Sequence, residues 1–135
     1  MSDPRFERSS VLSDGDICEI EKLIQRELPR DFCDFIKTHG GAFVGGSLDG
    51  SDELSILDFF GSAPERNLLS QIRLHPDLTA IGALPIARCE VGNLYVLDAE
   101  NAVHHINYYG GTTTSKKVAT SFQDFVDRIV VDFDH

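Results

Sequence analysis

The spacing of the apolar residues changes at Gly41, and that change limits the architectures open to this 135-residue chain. Before it, Ile17, Ile20, Leu23 and Ile24 recur at helical spacing, and Phe32, Phe35 and Ile36 share a second helical face. After it, short apolar runs are separated by turn residues until a final helical stripe near the C-terminus. Helices at both ends, strands between them and no repeating strand-helix alternation predict an α+β fold: a single domain whose helices pack on a largely antiparallel sheet.

Local signals place the elements. Ser13 supplies a cap oxygen and Asp14 and Asp16 suit the helix dipole, so the first helix starts there and residues 1–13 read as an N-terminal extension to a single domain over 14–135. Leu28-Pro29 is a corner, Pro29 opens the second helix, and Gly40-Gly41 ends it. Phe43 and Val44 form a short strand, Ser47 to Glu53 a polar acidic turn, and Leu54 to Phe60 a strand buried on both faces. Ser62 and Glu65 have capping-box spacing, predicting a helix from Pro64 to Leu74. Pro85 lies among Ile81, Leu84 and Ile86, and its missing amide suits a sheet edge or a strand start. Leu94 to Leu97 and Val103 to Tyr109 flank the turn Asp98 to Asn101 as an antiparallel hairpin. Gly110 to Lys117 reads as a loop, Val118-Ala119 as a last short strand, and Ser121 caps a final helix through Phe122, Phe125, Val126 and Ile129.

Charge narrows the function. Against 12 Lys+Arg stand 22 Asp+Glu, a formal net charge of −10. A self-sufficient nucleic-acid binder draws its affinity from cations set against phosphate, and an anionic membrane repels an acidic surface, so neither is an expected partner. The N-terminal residues lack the apolar region of a secretory signal, and no apolar run approaches the roughly 18 residues of a spanning helix. Cys18, Cys33 and Cys89 are odd in number and widely spaced, which fits free thiols in a reducing cytoplasm, with Cys18 and Cys33 as small core residues on helices.

No motif establishes chemistry. The run Gly40 to Gly46 lacks the Lys-Ser/Thr ending of a phosphate loop and follows a helix, so it reads as a helix end and turn. Asp49, Asp52 and Glu53 cluster in one turn without the alternating ligands of a calcium loop, leaving solvation or a basic protein partner. His104 and His105 are adjacent on a strand and point to opposite faces. Cys89 is the one candidate nucleophile, in a loop, with no recognised elbow around it. No cofactor, metal or catalytic set is expected.

Several blocks share an order with a known family. Ile17-x-x-Ile20-Glu21, Leu28-Pro29-x-x-Phe32-x-x-Phe35-Ile36 and Gly40-Gly41 come first. Leu84-Pro85-Ile86-Ala87, Gly92-Asn93 with Tyr95-Val96-Leu97-Asp98, and Val118-Ala119-x-Ser121-Phe122-x-x-Phe125 follow. Together they resemble the SUKH superfamily, of the Smi/Knr cell-wall-assembly-regulator type, from about Asp14 to Val130. His39 stands where the family often has Asn, and the chain has no Trp. The resemblance implies an α+β domain without a shared catalytic constellation, and many bacterial members of the superfamily act as immunity proteins that silence a cognate toxin, often a nuclease.

The expected function is therefore a non-catalytic, acidic, cytoplasmic binder of a cognate toxin or other basic protein, as a monomer or weak homodimer. Asp49, Asp52, Glu53, Glu90 and Asp98 are its candidate contact residues, since they lie in loops beside a rigid sheet. A regulatory scaffold is the alternative, binding across a strand edge near Pro85 or beside Tyr108 and Tyr109. A small enzyme using Cys89 is the third reading.

Overall fold

The computed structural model describes residues 5–6, 9–89, 92–107 and 114–131. Two N-terminal helices, α1 (Asp14–Ile24) and α2 (Arg30–Thr38), precede strands β1 (Phe43–Leu48) and β2 (Ser55–Phe59). Helices α3 (Leu68–Leu74) and α4 (Pro76–Ala80) lead to β3 (Leu84–Arg88), β4 (Leu94–Leu97), β5 (Val103–Asn107) and β6 (Thr114–Ala119), and α5 (Phe122–Asp127) and β7 (Ile129–Val131) complete the described chain. The strands form one antiparallel sheet in the order β6-β5-β4-β3-β2-β1-β7. This is the α+β, largely antiparallel architecture that the change of period predicts.

Ser13 forms the full capping box: its Oγ accepts from the Asp16 amide and its own amide donates to the Asp16 carboxylate. Such a cap is worth about 1 kcal/mol. Phe32 and Phe35 of α2 then meet Phe122 of α5 over Phe59 of β2, with Phe125 beside them. Ring centroids lie 5.0 Å apart for Phe32–Phe122 and 4.6 Å for Phe35–Phe59. Burying one such ring contributes roughly 1.5–3 kcal/mol, and edge contacts add to it. The residues before α1 also pack down. Phe6 and Leu12 are buried, the Leu12 amide donates to Ile36 O, and Arg5 Nη1 donates to the carbonyls of Val126 and Ile129.

Cross-strand register decides what lies beside the aromatic core. Phe59 pairs with Ala87, Ala87 with Tyr95, Tyr95 with His105, and His105 with Lys116. Directly paired residues share a face, so this row runs from buried Phe59 to exposed Lys116 on the edge strand. Phe125 covers its middle, 5.1 Å from Tyr95. The Tyr95 hydroxyl donates to Ser55 O at 2.9 Å and so anchors the start of β2, next to the acidic turn.

Four local expectations are corrected. Ile129 starts β7, which pairs with β1 through Leu48; the Phe125-to-Ile129 spacing suits a helix, but α5 ends at Asp127 and the chain turns at Arg128. Gly46 permits that pairing, because a Cβ there would collide with the Val130 carbonyl. Thr114 to Lys117 belong to strand β6, held by β5, instead of a loop. The helix expected from Pro64 is a 3-10 turn followed by α3, capped by Asn67, and Pro76 opens α4. Of the two places expected for Pro85 the strand start holds and the sheet edge does not: it is buried, second in the central strand β3. The β2 ladder reaches only Arg88 and Ala87, and the β4 ladder is irregular between Pro85 and Ala87, which accommodates the missing amide.

Candidate functional site

The candidate carboxylates divide by what holds them. Asp49 follows β1 with a left-handed φ of 57°, and its amide donates to Arg128 O. Arg128 Nη2 and Nε donate to its carboxylate at 2.6 and 3.1 Å, while Arg128 Nη1 reaches Val118 O and Asp124. The hydrogen bonds from Arg128 hold the Asp49 carboxyl below the usual carboxylate range and push the guanidinium pKa up.

Asp98 is likewise engaged. Its Oδ1 accepts from the amides of Glu100 and Ala102, which shapes the β4–β5 turn, and its Oδ2 lies 2.6 Å from His104 Nε2. Burial opposes its ionisation, yet the Ala102 amide, His104 and the Glu100 amide outweigh that and leave its carboxyl below the ordinary value. Glu90, Tyr108 and Tyr109 lie outside the described residues.

Asp52 and Glu53 differ from both. They sit on the 3-10 turn Asp52–Leu54, exposed, and neither carboxylate has a side-chain or amide partner among the described residues. Their backbone is nevertheless fixed: Ser51 donates to Leu48 O, Leu54 donates to Ser51 O, and Tyr95 anchors Ser55. The turn lines a cleft of about 660 Å³ together with Asn93, His105 and Lys116. A second hollow of about 420 Å³ on the β1–β7 side also includes Asp52. The groove between α1 and the α3–α4 corner, about 580 Å³, contains none of the candidate carboxylates.

The adjacent histidines face opposite ways, as their strand position predicts. His104 binds Asp98, whereas His105 is 9% exposed, lies 5.0 Å from the Tyr95 ring and has no hydrogen-bond partner for its buried Nε2 among the described residues. Burial, with a smaller contribution from Lys116, pushes its pKa below the ordinary histidine value. The sequence puts His104 and His105 on opposite faces of one strand without saying which is buried. The cross-strand register sets His105 between Tyr95 and Lys116, and His105 and the acidic turn line the same cleft.

The cysteine reading gains no support. Cys89 is 2% exposed in the turn after β3, and no histidine hydrogen-bonds its thiol among the described residues. Cys18, expected in the core, lies exposed beside the buried stripe of α1. The strand edge expected near Pro85 is absent because β3 lies between β2 and β4. Among the described residues, no helix is long and apolar enough to cross a membrane.

Fold and cleft together describe a small α+β domain whose sheet presents a short acidic turn beside a polar cleft. The chain belongs to the SMI1 / KNR4 family (SUKH-1), whose family model matches residues 12–128. This is a generally non-catalytic family, and membership supports a binding module of the immunity-protein or Smi/Knr type. No curated protein matches the chain closely enough to count as a relative.

Proposed function

We propose that this chain is a non-catalytic immunity-type module that binds and neutralises a cognate toxin, or otherwise binds a basic protein, as a cytoplasmic monomer or weak homodimer. The observation that carries the reading is the contrast among the carboxylates. Asp49 and Asp98 are committed to Arg128 and His104, whereas Asp52 and Glu53 stand exposed on an anchored turn with no partner among the described residues. Holding charge on a fixed backbone lowers the entropy lost on binding, and a net charge of −10 steers a basic surface toward it.

Co-purification from the native host tests the reading. A basic toxin domain retained by the natural chain and lost by the Asp52→Ala/Glu53→Ala variant supports it. A partner from cell-envelope assembly would replace it with the regulatory-scaffold role. A chain that emerges alone at every salt concentration contradicts both.

A further inference from the structure

We infer that the exposed half of β6, Thr114 to Lys117, is a proton-released edge: when the His105 imidazole takes up a proton, this segment detaches from β5 and dismantles the cleft it shares with the acidic turn. The device holds whichever protein the chain binds, and its failure leaves the binding reading untouched.

The geometry houses the neutral ring and leaves no place for its charged form. His105 is nine-tenths buried, and its Nε2 is closed to solvent with no hydrogen-bond partner among the described residues. An imidazolium carries N–H on both ring nitrogens, so protonation sets a charged donor at Nε2 where no acceptor stands. Burying an unpaired charge costs more than burying an unpaired neutral group.

The groups around the ring do not offset that cost. Lys116 of β6 is its direct cross-strand neighbour and adds a like charge. Tyr95 of β4 faces it from the other side, with its hydroxyl already given to Ser55 O. Phe125 of α5 packs on Tyr95, and His104 points to the opposite face, held by Asp98. Asp52 and Glu53 line the same cleft but are exposed, where their attraction is screened. The net result is a ring whose pKa lies below the ordinary histidine value, through burial first and Lys116 second.

Of the two strands beside the ring, β6 is the one free to give way. Tyr95 is fully buried in β4, which lies between β3 and β5, whereas β6 ends the sheet and pairs only with β5 among the described strands. Thr114, Ser115, Lys116 and Lys117 are exposed, so lifting them gives up little apolar burial. Val118 and Ala119 are buried and Arg128 holds the Val118 carbonyl, which confines the opening to the segment before them. Thr114 and Lys116 line the cleft with the turn, so it loses that side as the segment lifts and the ring reaches water.

Amide hydrogen exchange of the isotope-labelled full chain, read by NMR at pH 5, 6 and 7 and corrected for the intrinsic rates, tests this. At each pH the amides paired between β5 and β6 are expected to be less protected than those of the β1–β2 ladder. Their open fraction rises by up to about tenfold per pH unit below about 6.5, the limit for one proton. His105→Gln, neutral throughout this range, abolishes the rise. His104→Gln keeps it, and that control carries the attribution if His105→Gln does not fold. Protection at the β5–β6 amides that is independent of pH, or equal to that of the β1–β2 ladder, overturns the inference. So does a rise that survives His105→Gln or disappears in His104→Gln.

Discussion

Arg128 grips Asp49 from the turn that leads into β7, with Nη2 to Oδ2 at 2.6 Å, while its Nη1 donates to Val118 O in β6. β6 and β7 are the two ends of the sheet order, so one side chain links the two edge strands and the turn after β1. This is a structural task for a carboxylate that sequence alone groups with the binding candidates.

Replacing Arg128 with alanine lowers the unfolding midpoint more than replacing Asp49 with asparagine, because the alanine variant also releases Val118 O and Asp124. The Asp49 pKa is depressed in the folded chain, so its stabilisation is present above the unfolded value and fades as pH falls through the folded one. Thermal melts below about pH 4, the ordinary aspartate range, show that acid loss in the natural chain and less of it in Asp49→Asn.

Phe122→Ala removes a ring packed against Phe32, Phe35, Phe59 and Phe125. The expected cost is about 3–5 kcal/mol, measured by denaturant unfolding. A loss below about 1 kcal/mol, the scale of a volume-conserving swap, contradicts the packing described.

His105 carries the opposite pH signature to the aspartates in mechanism but the same direction in outcome. Its folded pKa is depressed, so the unfolded chain binds the proton more readily and stability falls as pH drops below about 6.5. Between that value and the folded pKa, the natural chain loses stability more steeply than His105→Phe. Paired melts across pH 5–7 measure the difference in slope, and identical slopes contradict a buried neutral ring.

The helices were legible because their signals are local. Ser13 caps at a distance of three residues, and Phe122, Phe125 and Val126 mark α5 by spacing alone. The misread elements depend on distant partners. Ile129 has helical spacing from Phe125 but is taken into the sheet by Leu48, and Pro85 is tolerated centrally only because the neighbouring ladders stop or shift there. The site was half legible. Asp52 and Glu53 stand out as charge in a turn, but no sequence signal says that Arg128 occupies Asp49 or that His105 and Lys116 flank the same cleft.

The most direct test of the account is the association rate of the purified chain with its co-purified partner, measured against salt for the natural protein and Asp52→Ala/Glu53→Ala. The variant spares Asp49 and so leaves the Arg128 clasp intact. The account predicts an on-rate that falls steeply with salt and is roughly three- to tenfold slower in the variant at low salt, the scale of lost electrostatic steering. Equal on-rates with equal salt dependence would contradict it.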